Sequence, residues 1–327
     1  MSDNNKIPIY FDASALKNSS CFRNFWRIAV EGWRKIGDET ARGHAMAYGS
    51  GIHKFLEHIY KGGTKKDALQ LALDYYTPWN VTLNLNNAYE FRTSANLLKV
   101  CNQYYQRFIH TLDNNIPMLD FIPLEDSKTG IKQVEYKFQI KIWENDKYVL
   151  YLCGTIDLIC LYEGYDILLV DHKSTSSKLN EQFFIPFEWD IQTMLYSKVW
   201  RETNNLASYP PVLINGIFVK KPTIKNSKGG IFDGVEFDRS PVIEYDDARM
   251  DAFTVWLNSR IKSIIYYLEN ESNPSINPID NYDMAACKSI YGNCQFFNIC
   301  KLPAEFQQGA LEGSFEIFKY NPLCFRD

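Results

Sequence analysis

The stretch whose reading decides the fold is Cys153–Ser177, CGTIDLICLYEGYDILLVDHKSTSS. Two apolar, β-branched runs flank the turn-like pair Glu163-Gly164, so the stretch reads as a hairpin of two strands. Each run carries an aspartate, Asp157 and Asp171, that a folded sheet buries only at a cost. Asp171 and Lys173 stand two apart and so project from one sheet face, whereas His172 between them points to the other. Asp157 and Asp171 lie seven residues either side of Gly164. A three- or five-residue connection centred on Gly164 makes them direct cross-strand partners, and a two-residue loop breaks that pairing.

Residues paired in this way hold Cβ atoms about 4.5 to 5.5 Å apart, and facing like charges destabilise a sheet unless something neutralises them. A divalent cation does so, because both carboxylates reach it with bonds of about 2.0 to 2.1 Å for magnesium. Lys173 on the same face then stabilises developing negative charge or orients a water. Carboxylate, carboxylate, lysine and metal together suit phosphodiester hydrolysis. A plain salt bridge at a strand end also accounts for Asp171 and Lys173, but one lysine does not offset two facing carboxylates.

Upstream, VEYKFQIKIW alternates Val134, Tyr136, Phe138, Ile140 and Ile142 with Glu135, Lys137, Gln139 and Lys141, the period of a half-exposed strand. With ENDK as a turn, strands over Tyr148–Tyr162 and Asp166–Lys173 complete an expected antiparallel meander. Helical spacing dominates the first 110 residues. In GSGIHKFLEHIY, Ile52, Phe55, Leu56 and Ile59 form one stripe with His53 on its shoulder; further helices are expected around 66–76 and 88–112. Downstream, WDIQTMLYSKVWRETNN reads as a helix stopping at Asn204-Asn205, VLINGIFVKK as a strand, and Arg249–Glu269 as an amphipathic helix. The C-terminal stretch reads as irregular and cysteine-bearing.

The chain has 327 residues, 15% aromatic and 23% charged, a globular balance with room for one elaborated domain or two. Its apolar runs fall far short of the roughly 20 residues that cross a bilayer, so no membrane partner is expected. MSDNNKIPIYFD lacks the basic start and apolar stretch of a secretory signal, which points to a reducing, cytoplasmic setting. A net charge of −4 excludes a generally basic nucleic-acid coat but leaves room for a local patch. The lysines of KKPTIKNSKGG, Lys220, Lys221, Lys225 and Lys228, are such a patch, or a solvated loop. No G-x-x-x-x-G-K-[ST] phosphate loop occurs, so work on DNA would proceed without a motor of this chain's own.

Eight cysteines in a reducing compartment need an explanation other than disulfides. CKSIYGNCQFFNIC supplies Cys287, Cys294 and Cys300, and close thiols suggest metal. Three thiolates are an incomplete set, and Cys21 is the candidate fourth. Cys101, Cys153, Cys160 and Cys324 read as inert thiols.

These motifs as they stand, GTIDLI with Asp157, LLVDHKS with Asp171 and Lys173, and QTMLY with Gln192 and Tyr196, resemble the PD-(D/E)XK nuclease superfamily, and within it the RecB-like branch. The resemblance covers residues 11–301 and departs in two respects: Asp171 stands where glutamate is common, and six residues separate Cys287 from Cys294 where the family often spaces the second and third cysteines more closely. It implies an α/β, restriction-endonuclease-like core, a central mixed sheet flanked by helices, over residues 131–225 of a single elaborated nuclease domain. A helical region with Cys21 and His53 over 1–130 precedes that core, and a helical and cysteine-bearing region over 226–327 follows it. The catalytic set implied is Asp157, Asp171, Lys173, Gln192 and Tyr196. GSGIHKFLE is similar to the branch's upstream histidine motif, which makes His53 a ligand of Mg2+ or Mn2+ beside Asp157 and Asp171; His172 is carried with them as a candidate ligand. The branch often has a glutamate at the position of Glu135. The one-plus-three cysteines resemble the iron–sulfur clasp of AddB-like nucleases, implying that Cys21, Cys287, Cys294 and Cys300 hold a structural [4Fe-4S] cluster, with zinc as the other metal four thiolates accept. The implied activity is a DNA exonuclease of recombination, repair or phage DNA processing. A CRISPR spacer-processing nuclease and a catalytically inactive DNA-binding or assembly subunit are the alternatives. Partners implied are DNA, single-stranded or with free ends, and a helicase or single-strand annealing protein.

Overall fold

The structure is a computed structural model that describes residues 6–36, 42–81, 91–111, 117–220, 223–224, 231–270, 287–289, 292–318 and 320–323. Its principal elements in chain order are β1 (Ile7–Phe11), α1 (Ala13–Asn18), α2 (Arg42–Tyr60), α3 (Lys65–Val81), α4 (Ser94–Phe108), β2 (Val134–Glu144), β3 (Tyr148–Tyr162), β4 (Tyr165–Thr175), α5 (Ile191–Thr203), β5 (Val212–Val219), β6 (Val235–Arg239), α6 (Asp247–Glu269) and α7 (Ala304–Ser314). They divide into two compact units: Met1–Gly37 with Lys137–Thr155 and Asp247–Asp327, and Asp38–Tyr136 with Ile156–Asp246. The units interleave along the chain and so do not coincide with the three successive regions read from the sequence.

The second unit holds an α/β arrangement with a mixed sheet. β3 and β4 run antiparallel, β4 and β5 parallel, and β5 and β6 antiparallel. β5 is buried along its whole length, as a central strand covered on both faces must be. Helices flank the sheet. Tyr60 of α2 stacks on His172 of β4, while Gln192 of α5 bonds its neighbours Asp171 and Lys173, and adjacent strand residues face opposite sides. The apolar stripe Ile52, Phe55, Leu56 and Ile59 is buried in this unit's core with Tyr60, Leu97, Val100 and Tyr104. Gly49 lets α2 lie close on β4, because a Cβ there would meet Ser174 Oγ at 2.8 Å. Helix α4 begins at Ser94, where the Thr93 side chain accepts from Asn96 N, and is shorter than the 88–112 expected. From Ile109 to Thr111 the chain is already a strand.

The loop between β3 and β4 corrects the hairpin reading. It is the two-residue Glu163-Gly164, and both residues have positive φ, 44° and 89°. Tyr162 pairs with Tyr165, yet Cys160 pairs with Leu168 and Leu158 with Val170. A bulge at Asp166-Ile167 opposite Leu161 shifts the ladder by one, and in the resulting register Asp157 falls opposite Asp171. A short loop therefore coexists with the aspartate pairing it was expected to break.

In the first unit β1 runs parallel to the start of β3, from Ile7 opposite Tyr148 to Phe11 opposite Leu152. Trp33–Lys35 pairs antiparallel with Phe315–Ile317, and Trp33, Phe296, Ile299, Leu311 and Phe315 pack as a small core. The C-terminal stretch is less irregular than expected, since α7 accounts for eleven of its residues. No helix among the described residues is long and apolar enough to cross a membrane.

Candidate active site

Asp157 and Asp171 are each 2% exposed, so the sheet does bury both carboxylates. Lys173 lies against both oxygens of Asp171, 2.8 Å from Oδ2 and hydrogen-bonded to Oδ1 at 3.1 Å. Its ammonium also donates to Gln192 Oε1 at 3.2 Å. Gln192 Nε2 in turn donates to Asp171 Oδ1 at 3.1 Å and to the Tyr196 hydroxyl at 3.0 Å. Gln192 and Tyr196 are one helical turn apart on α5, and the Asp190 side chain caps that helix by accepting from Gln192 N. Burial, reinforced by the facing Asp157 charge, raises the Asp171 carboxyl above its usual range against the pull of Lys173. Burial works to lower Lys173, but Asp171 and Asp157 outweigh it and hold the ammonium protonated.

On the other side of Asp157 stands a nitrogen and oxygen donor set. His53 Nδ1 is 3.6 Å from Glu135 Oε1 and 3.6 Å from Asp157 Oδ1. His53, Glu135 and Asp157 offer donor atoms that all lie within 4.8 Å of one another, the one such group among the described residues. The backbone of His172 holds two of them. Its N–H donates to Asp157 Oδ2 at 2.8 Å, and its carbonyl lies 3.0 Å from His53 Nε2. A proton on Nε2 suits that carbonyl and directs Nδ1 at the two carboxylates, the usual way a ligand histidine is oriented. The donors fit a divalent cation. Imidazole and carboxylate are its ligands, and His53, Glu135 and Asp157 bring one nitrogen and two carboxylates together.

Two expectations about the metal are altered, while Glu135 belongs to the donor set, as its place on a polar strand face and the resemblance to the branch both suggested. It sits at φ 52°, left-handed backbone that a non-glycine residue adopts at a cost of about 1 to 3 kcal/mol, and such strain gathers at functional sites. Asp171 lies outside the His53 group because Lys173 and Gln192 engage its carboxylate. His172 is not brought to the group by its side chain: the ring is buried, stacked on Tyr60 and hydrogen-bonded at Nδ1 to Asn215 at 2.9 Å. The alternation of β4 dictates this, since the faces of Asp171 and Lys173 are opposite to that of His172. Of the lysine patch, Lys220 follows β5 and is exposed, and Lys221, Lys225 and Lys228 lie outside the described residues.

The first unit brings the candidate clasp cysteines into electrostatic range. Burial raises the Cys294 thiol, and the charges of Cys21, Cys300 and Cys287 add to the rise. Cys294 N donates to Cys287 O at 2.9 Å. Arg27, itself buried, donates to Cys300 Sγ at 3.3 Å and to Gln307 Oε1 at 2.9 Å. By contrast, burial, helped by Asp12 at Cys153 and by Asp120 at Cys160, pushes Cys153 up to about 12 and Cys101 and Cys160 further, which makes them inert. Cys324 lies outside the described residues.

Buried paired carboxylates, a lysine held protonated between them and a glutamine, and a metal-capable histidine are groups that a metal-assisted hydrolase centre uses. A family model for the PD-(D/E)XK nuclease superfamily matches residues 14–301, and the chain belongs to that superfamily. Among curated proteins none matches the sequence. Among solved structures the chain is similar to a Eubacterium rectale protein described as "Putative exonuclease", at 10% identity and a TM-score of 0.45 over 90% of this chain and 89% of that one.

Proposed function

We propose that the chain is a Mg2+- or Mn2+-dependent DNA exonuclease of the RecB-like branch, degrading DNA from free ends. The observation that carries the reading is the adjacency of a His53–Glu135–Asp157 donor set and an Asp171–Lys173–Gln192 cluster within one unit of a PD-(D/E)XK chain. A bound cation would polarise a phosphate oxygen and make its water nucleophilic near neutral pH. His53, Glu135 and Asp157 would hold that cation, and Asp171 beside them holds the Lys173 ammonium. Lys173 meets the negative charge that develops on the phosphate, Gln192 fixes the ammonium, and Tyr196 fixes Gln192.

Cys21, Cys287, Cys294 and Cys300 are the ligands of a structural [4Fe-4S] cluster in the same reading. Two observations support it over inert thiols: their mutual electrostatic influence at Cys294, and a buried guanidinium turned toward a sulfur. In this reading a helicase that opens duplex DNA, or a single-strand annealing protein that takes up the strand left behind, is the partner.

The test compares end-labelled linear and closed circular single-stranded DNA, each with Mg2+ or Mn2+ and without ATP. Linear strands are expected to be degraded and circles to survive, with binding weakening steeply between about 50 and 200 mM salt. Equal cutting of circles would leave a nuclease but remove the requirement for ends, and no cutting with either metal would remove the nuclease.

A further inference from the structure

Behind the metal centre the second unit buries a row of polar groups that no step above uses. Asp120 accepts from the Tyr60 hydroxyl at 3.0 Å; Tyr60 and Tyr104 hydroxyls are 3.0 Å apart; Asn215 Nδ2 donates to the Tyr104 hydroxyl at 2.9 Å and lies 2.9 Å from His172 Nδ1. Arg239, stacked on Phe108 and Phe121, pairs with the other oxygen of Asp120. Tyr60, Tyr104 and Asn215 are at most 1% exposed, in a core where a polar group without purpose costs stability.

The hydrogen bonds in this row have one consistent direction. A carboxylate only accepts, so Tyr60 gives its hydrogen to Asp120 and must accept from Tyr104. Tyr104, having given its hydrogen to Tyr60, accepts from Asn215. The remaining N–H of Asn215 then meets His172 Nδ1, which is left as an acceptor. Burial pushes both phenols well above their ordinary range, which keeps the O–H donors in place. Charge at Asp120 thus decides which way the Asn215 amide faces three side chains along, and Tyr60 closes over the His172 imidazole with ring planes 9° apart.

We propose that Asp120, Tyr60, Tyr104 and Asn215 are a positioning network for the metal centre, acting through His172. The clamped imidazole fixes the His172 peptide groups, and those groups hold Asp157 Oδ2 and His53 Nε2. Register supports the same path, because His172 and Asn215 are paired residues of the parallel β4–β5 ladder. The network rests on the metal centre proposed above and adds residues that touch neither cation nor DNA. Second-layer partners of this kind typically change metal affinity about 10- to 100-fold.

The experiment is Mn2+ titration of the full chain by calorimetry, paired with single-turnover cleavage across Mn2+ concentrations. Asn215→Leu is expected to weaken Mn2+ binding about 10-fold or more and to shift the half-saturating Mn2+ for cleavage equally, with the rate largely recovered at saturation. Tyr104→Phe, which removes one hydroxyl, is expected to weaken binding about threefold or more and serves where Asn215→Leu does not fold. Val100→Ala, a buried core truncation on α4, lowers the melting temperature without moving Mn2+ affinity. Wild-type affinity in Asn215→Leu and Tyr104→Phe, or an equal loss in Val100→Ala, overturns the network while the metal centre stands. Absence of Mn2+ binding by the wild-type chain overturns the centre and the network with it.

Discussion

The carboxylate centre and the cysteine region make opposite use of burial. Burying Asp157 and Asp171 is costly, so their position inside a sheet already signals a compensating charge. Burying a thiol costs little, and Cys101, Cys153 and Cys160 are as enclosed as any residue of the fold. Burial is therefore informative for the aspartates and nearly silent for the cysteines. What separates Cys300 from the inert thiols is a buried cation, Arg27, directed at its sulfur. The difference teaches that a site made of hard charges is legible from where they sit, and a site of soft thiols only from what faces them.

The largest expected effect breaks the comparison at its catalytic end. Asp157→Ala, Asp171→Ala and Lys173→Ala each should lower cleavage by about 100- to 1,000-fold or more, because each removes a ligand or the charge that meets the phosphate. Circular dichroism should show the fold intact, since little core volume is lost. Iron content should be unchanged in all three, which assigns the loss to the carboxylate centre alone. Substantial cleavage by all three purified variants would remove the assignment.

At the cysteine end the expected effect is on composition. Anaerobically purified chain should be brown and carry about four irons and four sulfides, as a [4Fe-4S] centre requires. Cys21→Ala and Cys300→Ala should both lose that iron and much solubility, whereas Cys101→Ala keeps it. Colourless folded protein with one zinc would keep the clasp and refute the cluster; full iron in Cys21→Ala would assign the fourth ligand elsewhere.

Between these extremes lies His53. His53→Ala should raise the Mn2+ concentration needed for half-maximal cleavage about tenfold, with the rate restored in part at saturating metal. An unchanged Mn2+ titration would take His53 out of the centre and leave Glu135 and Asp157 as its donors.

Much of this centre was legible in the sequence because strands repeat every two residues. That period alone put Asp171 and Lys173 on one face and His172 on the other, and the helical period put Gln192 and Tyr196 in contact. The strand period left Glu135 as one polar residue among four on β2, and only the family resemblance singled it out, because nothing in residue order reports a left-handed φ. The Asn215 and Tyr104 network was invisible for another reason: it joins residues 111 positions apart through a tertiary contact. Helix α7 was hidden behind the cysteines that precede it, whose metal-like spacing made the whole stretch read as irregular.

The smallest expected effect concerns the turn that led the reading. Gly164 has φ 89°, a conformation that side chains adopt at a cost of about 1 to 2 kcal/mol, and Glu163 before it already adopts the left-handed region. Gly164→Ala should therefore destabilise the chain by about 1 kcal/mol in thermal or urea unfolding. Cleavage below the transition should remain at the wild-type level. The bulge at Asp166-Ile167 separates the turn from the aspartates, and β4 is held on its other side by seven consecutive pairs with β5, from Leu169 opposite Val212 to Thr175 opposite Phe218. That ladder, which contains Asp171 and Lys173, does not pass through the turn. If Gly164→Ala lowers cleavage in proportion to its loss of stability, the hairpin loop sets the aspartate register; if only the unfolding midpoint moves, the parallel ladder sets it.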